Sequence, residues 1–345
     1  MSRRDEVAEH FRWQADWCRR LGSPLYGDLL GRLAAEINLA LPVLAGDRAN
    51  PRSSFVALRF MGAVHRIVLD GRAPELAAFY PSAGGDARSA GAWDAFRSVI
   101  TEHRDALTSL ARRPVQTNEV GRSAALVCGF LTIARRARLP LRVLELGTSA
   151  GLNLRWDHFF YEARGETWGD PDSPVRLCDF NSDVSLPFDT DAEVVERSGC
   201  DAAVVDPTTE DGRLALMSYV WPDQLERYRR LGAAIQVARR VPARVQEADA
   251  ADWLAPELRR RGDGHATVVF HSIFWPYVGD RTRSRIENAI SSAGERAHAG
   301  RVVAWLRMEP DGEEASVRVR MWPGGEDREV ARSGYHGAGV RWLGS

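Results

Sequence analysis

The chain has 345 residues, 44% hydrophobic and 27% charged, the proportions of an ordinary globular protein with one large domain or two modest ones. Acidic and basic residues nearly cancel, for a formal charge of −1, and are interleaved, so no broad single-sign field favours nucleic acid or an anionic membrane. All 46 basic residues are arginine, which removes Schiff-base chemistry on a lysine amine.

The first stretch, "MSRRDEVAEHFRWQADWC", lacks the apolar core of a signal peptide, and Asp5, Glu6 and Glu9 argue against a transit peptide. No apolar run approaches membrane-spanning length, so a cytoplasmic location without a membrane partner is expected. Phe11, Ala15 and Cys18 share one helical face, and Trp13, Trp17 and Leu21 a neighbouring one, with both tryptophans read as helix-packing core. The helical period returns over residues 25–41 and 53–69, punctuated by Pro42, Pro51, Pro74, Pro81 and Gly84-Gly85. Residues 1–135 are therefore expected to form an N-terminal helical cap domain, laid over the carboxyl ends of the strands that follow.

Residues 136–345 follow a different pattern. Short β-branched runs at 141–146, 243–249, 266–272 and 301–308 alternate with helical stretches at 151–163, 223–239 and 281–297. This predicts an α/β domain with a mostly parallel sheet covered on both faces. Strict alternation in "ASVRVRMW" (315–322), a Pro323-Gly324-Gly325 turn, and then "REVARS" and "VRWL" predict antiparallel C-terminal strands at one edge. Cys18, Cys128, Cys178 and Cys200 are far apart and lack zinc spacing, so buried reduced thiols are expected. His65, His158 and His336 are isolated, and no metal is expected.

The run "VLELGTSAGLNLRWDHFFYE" contains a strand, a small-residue loop from Gly147 to Gly151, and a helix-like pattern. Such a junction brings backbone N–H groups and a helix start to the carboxyl end of a strand, where open α/β sheets bind ligands. Gly147 and Gly151 allow backbone angles and close approach that a Cβ would obstruct. The spacing is neither G-x-G-x-x-G nor a Walker loop, which disfavours an NAD-dependent oxidoreductase.

The pattern E-L-G-x-S-x-G resembles the first motif of class I S-adenosylmethionine-dependent methyltransferases, with Ser149 where their middle glycine usually stands. That resemblance implies a class I methyltransferase-like (Rossmann-like) fold with S-adenosylmethionine as cofactor. It places Glu145 near the methionine amino group and Gly147, Ser149 and Gly151 around the cofactor. Asp201, in "ERSGCDAAVVD", is the candidate for the ribose, with Asp179 in "VRLCDF" as a rival and an insertion assumed around 166–192. Asp249, in "VQEADAADW", would meet the adenine amino group. "VVFHSIFWPYV" occupies the fourth-strand position, whose end faces the acceptor. His271 is the candidate base there, Tyr277 the second catalytic candidate, and Trp275 a platform for a planar substrate. In "QTNEVGRSA", Thr117 or Asn118 reads as a helix cap. The functional alternative is that Asn118 and Arg122 face the pocket, with Arg122 clamping a carboxylate.

Nearly the whole chain also resembles an uncharacterised bacterial domain-of-unknown-function family, 2332. The resemblance is carried by "FRWQADWC", "QTNEVGRSAAL", "LELGTSAGLNLRWD", "GDPDSPV", "WPDQLERYRRL", "VVFHS" and "WPGGEDREVA". Several class I features are missing: the Asn/Asp-Pro-Pro-aromatic tetrapeptide, a catalytic-cysteine motif, and room for a helix between Met308 and Ala315. The expected function is methyl transfer to an unknown small molecule. The alternative is a non-catalytic nucleoside-binding module on the same fold.

Overall fold

The computed structural model describes residues 2–47, 49–87, 90–260 and 263–344. In chain order, helices α1 (Arg3–Arg20), α2 (Pro24–Ala35), α3 (Val56–Leu69), α4 (Pro74–Ala77), α5 (Ala92–Glu102), α6 (Arg104–Ala111) and α7 (Arg122–Ala137) come first. Then follow strands β1 (Leu141–Leu146), β2 (Phe160–Ala163), β3 (Glu166–Gly169), β4 (Arg176–Leu177) and β5 (Val194–Asp201). The chain continues through α8 (Glu210–Met217), α9 (Leu225–Arg240), β6 (Arg244–Glu247), α10 (Ala250–Arg259), β7 (Ala266–Ser272) and α11 (Asp280–Gly294). It ends on β8 (Val303–Asp311), β9 (Glu314–Trp322), β10 (Asp327–Ser333) and β11 (Arg341–Trp342). Among the described residues no helix is long and apolar enough to cross a membrane.

Two compact units result, residues 1–117 with 209–232, and residues 118–208 with 233–345. The division drawn at residue 135 from the sequence therefore differs at two points: α7 goes with the sheet, and the segment around α8 goes with the helices.

In the helical unit α1 opens on a capping box, with Ser2 and Asp5 bonding each other's backbone. Val7, Phe11, Ala15 and Cys18 form its buried stripe. The expected core role of Trp13 is corrected. It is 38% exposed, stacks on His10 and meets Trp17 edge-on, because the buried stripe already lies on the neighbouring face. The returning segment is stapled by Asp223, which accepts from Ser23 Oγ (2.5 Å) and the Leu25 amide (3.2 Å) at the start of α2. His65 is fully buried between the Ser218 carbonyl and Ser82 Oγ, and burial draws it down to about 4.

The α/β unit is built on an eight-stranded sheet in the order β11-β10-β9-β8-β7-β1-β5-β6. From β6 to β8 all pairings are parallel; β9, β10 and β11 add an antiparallel meander. Counted over the parallel strands the order is that of a doubly wound, Rossmann-like sheet. Alternate residues of β8 serve opposite faces. Val303 and Trp305 pack with α10 and α11, while Leu306 lies against Gly129 of α7. A small sheet β3-β2-β4 stands beside the main one, with β3 and β4 inside the assumed insertion and β2 just before it.

The helix expected over 151–163 is not formed. Residues Leu152–His158 make a short 3-10 helix and 160–163 are β2. Arg164 and Gly165, both at positive φ, turn β2 back into β3, and that hairpin takes residues the apolar period assigned to a helix. Cys18, Cys128 and Cys200 are buried free thiols; Cys178 is exposed, against expectation.

Candidate functional site

β1 is followed in the sheet by β5 and β6 on one side and by β7 on the other. The carboxyl ends of β1 and β7 therefore bound the switch point, from which the two chain continuations leave in opposite directions. Both strand exits are strained. Ser149 (φ 52°) follows β1 and Ile273 (φ 49°) follows β7, and both lie in the left-handed region that non-glycine residues avoid. Gly147 and Gly151 share φ 69°. A Cβ on Gly147 would lie 2.4 Å from Phe274 Cδ2, so glycine is needed for the β7 exit to close over the β1 loop.

The loop's amides are spent on the protein itself. Gly147 and Thr148 N–H donate to the Cys200 carbonyl (2.9 and 3.1 Å), and Gly151 N–H to the Thr148 carbonyl (2.8 Å). Ser149 N–H donates to Asp201 Oδ2 (2.8 Å) and Leu152 N–H to Asn118 Oδ1 (3.0 Å). Asn118 is thus a cap, but of the turn after the glycine loop; α7 starts at Gly121 without a side-chain cap. Asp201 also accepts from Ala203 N–H (3.0 Å), so both its oxygens hold backbone. Asp179 is exposed beside β11, at the far edge of the sheet from β5.

Glu145 is buried, 2% exposed, and among the described residues its one hydrogen-bond donor is Thr148 Oγ1. Burial pushes its carboxyl up to about 8 against that hydrogen bond; the Asp201 charge pushes the same way, and Arg155 and Arg122 pull back. Arg155 is itself buried, with Nε on the Val241 carbonyl (2.8 Å) and Nη1 on the Gly151 carbonyl (2.5 Å). Asp249 caps α10, with Oδ1 accepting from Ala251 (3.0 Å) and Asp252 (3.1 Å).

At the β7 exit His271 is fully buried. Its Nε2 is 3.1 Å from the Trp305 indole N–H and its Nδ1 is 2.6 Å from Glu309 Oε1. An indole N–H can only donate, so Nε2 is the acceptor and Nδ1 carries the proton. Glu309 also takes the amides of Phe274 (2.9 Å) and Trp275 (3.2 Å), so one carboxylate fixes the whole exit loop. Trp275 lies 4.4 Å from the His271 ring, centroid to centroid. Tyr277, on the adjoining turn Trp275–Tyr277, is 63% exposed. Arg122 ties the Ser272 carbonyl (2.9 Å) to the Tyr335 carbonyl (3.1 Å) rather than standing open in a pocket.

Sequence reasoning missed Thr148, Glu309 and Trp305. Thr148 was visible within the glycine motif. Glu309 and Trp305 had no local signal, because they meet His271 only through the β7–β8 pairing. Among the described residues no group of three or more His, Cys, Asp and Glu is placed to hold a metal ion.

The family model described as "Uncharacterized protein conserved in bacteria (DUF2332)" matches residues 8–342. The chain belongs to this family. Searches of the curated proteins and of the solved structures found no match. Three of the stretches quoted above meet at the switch point: "QTNEVGRSAAL" brings Asn118 and Arg122, "LELGTSAGLNLRWD" the loop, and "VVFHS" His271. Two others, "FRWQADWC" and "WPDQLERYRRL", lie in the helical unit. "WPGGEDREVA" turns β9 into β10 at the amino end of the parallel strands, where Trp322 pairs with Val303.

Proposed function

We propose that the α/β unit binds S-adenosylmethionine at the carboxyl ends of β1 and β7 and transfers its methyl group to a small molecule. The observation that carries this reading is the pairing of a buried, under-solvated Glu145 with a loop whose amides at 147, 148, 149, 151 and 152 are already used. A pyrophosphate needs open amides, whereas a cationic amino-acid moiety needs an acceptor. Glu145 meets that second need, and an incoming ammonium would supply the donors its carboxylate lacks.

Asp201 fits the ribose less fully, since each oxygen already accepts one backbone N–H, leaving one lone pair on each. Its position beside the glycine loop favours it over Asp179. Asp249 keeps Oδ2 for an adenine amino group while Oδ1 caps α10. When bound, the sulfonium would supply an activated methyl group. The protein's part would be to orient both partners and exclude water. With both ring nitrogens of His271 engaged, its role is to hold the exit loop, with Trp275 and Tyr277 presenting the acceptor. Deprotonation by His271 would require the Trp305 bond to open.

That engagement of His271 supports a second reading, a nucleoside-binding module without catalysis. A thermal-shift screen against S-adenosylmethionine, S-adenosylhomocysteine, NAD and ATP tests the binding. S-adenosylmethionine at a hundred times its dissociation constant should stabilise the fold by about 2.7 kcal/mol. Binding without turnover across a panel of hydroxyl, amine and carboxylate acceptors would favour the second reading.

A further inference from the structure

Glu145 is 2% exposed near the carboxyl end of β1, with less solvation than a carboxylate needs. Its cross-strand neighbours are Gly199 and Phe270, which offer it no charge or side-chain donor. The charges that reach it are Asp201 from the β5 end, Arg155 from the 3-10 helix and Arg122 from α7. Asp201 is repulsive, and both arginines spend N–H groups on backbone carbonyls. A buried carboxylate with one hydroxyl donor and a second carboxylate beside it is better off neutral.

We propose that a cationic ligand takes the place of a proton on Glu145, so that ligand binding and ionisation of this one carboxyl are a single coupled event. The inference rests on the S-adenosylmethionine reading of the site. The balance is simple. The carboxyl O–H bond breaks, its proton leaves to the buffer, and the ligand's ammonium donates to the carboxylate so formed. At Glu145 itself a neutral acid is exchanged for a carboxylate–ammonium pair, so no net charge is added at that carboxyl. An uncharged carboxyl also spares Glu145 the cost of a buried anion without a counter-charge.

The coupling has a direct thermodynamic signature. While Glu145 is protonated and the ligand amine charged, affinity should rise about tenfold per pH unit, as one released proton requires. Burial holds the carboxyl up near 8, so this regime covers pH 5.5–7. The experiment is calorimetric titration of the full chain with S-adenosylmethionine at pH 6.5, in two buffers of different ionisation enthalpy. Close to one proton released per molecule bound is the expected result. Glu145→Gln, the same shape without a titrating proton, should bind with no net release and with affinity flat across pH 5.5–7. An infrared difference spectrum of the wild type should show loss of one carboxylic-acid band on binding, and this does not depend on the variant folding. Binding without proton release, or with release retained in Glu145→Gln, would overturn the coupling and leave the cofactor reading standing. No binding in either buffer would overturn the cofactor reading itself.

Discussion

β1 carries a buried ionisable side chain near each end, and the two are treated differently. At the amino end Arg142 is 2% exposed and fully matched: Nε on Glu196 (2.8 Å), Nη2 on Glu257 Oε2 (2.6 Å) and Nη1 on the Glu257 carbonyl (3.1 Å). Glu257 is held in turn by Arg244 (2.7 Å) and Arg260 (2.8 Å). At the carboxyl end Glu145, equally buried, has one hydroxyl donor. The first is a closed network that ties β1, β5, β6 and α10 together. The second leaves acceptor capacity unfilled at the topological switch point of the sheet. A buried ionisable group that is fully paired is structural; one that is under-paired at a switch point is the better candidate for a site.

Breaking the closed end should have the largest effect. Glu257→Ala leaves Arg142 and its neighbours without their shared carboxylate, and a loss of about 3–5 kcal/mol is expected in urea unfolding. Next is the exit-loop clamp. Glu309→Gln replaces a carboxylate with three donors by an amide that repels one of them, for about 1.5–3 kcal/mol. Altered Trp275 and Trp305 fluorescence should accompany it, and an unchanged spectrum would remove Glu309 as the organiser of that loop.

The open end should show itself in pH dependence. The folded-state value for Glu145 lies above its ordinary 4.5, at about 8. Its contribution to stability is therefore fully present below about pH 4.5 and lost as pH rises towards 8. Inside that window the slope is up to about 1.4 kcal/mol per pH unit, and Glu145→Gln should remove it. Buried His65 works in the opposite sense. Drawn down to about 4, it costs stability as pH falls from 6.5 towards 4, so the contributions of these two groups respond to acid with opposite sign. Smallest is Asp223→Ala, which removes two donor contacts at the start of α2 for about 1 kcal/mol, read as a shift in urea midpoint.

β1 and β7 were legible because strands buried on both faces are nearly continuous apolar runs, whereas β5, with Glu196 and Arg197 in it, was not among the predicted runs. β1 and β7 match the predicted spans to the residue. The 3-10 helix and hairpin after Gly151 were not legible. Their apolar spacing fits a helix, and the turn at Arg164-Gly165 is decided by pairing with β3 and β4. Of the site, the glycines and Glu145 could be read from a local motif. The occupation of the loop amides could not, because Cys200, Asp201 and Asn118 are distant in sequence. The same holds for His271, whose isolation inside an apolar strand suggested a base. Trp305 and Glu309, brought beside it by β8, are the partners that its buried ring finds there.

Calorimetric titration of the wild-type chain with S-adenosylmethionine, with NAD and ATP in parallel, tests the central claim most directly: that the switch point holds a cation on Glu145 and not a phosphate on the loop. Saturable binding of S-adenosylmethionine, absent for NAD and ATP and weakened in Glu145→Ala, is the expected result. Binding of NAD or ATP without S-adenosylmethionine, or S-adenosylmethionine binding untouched by Glu145→Ala, would contradict it.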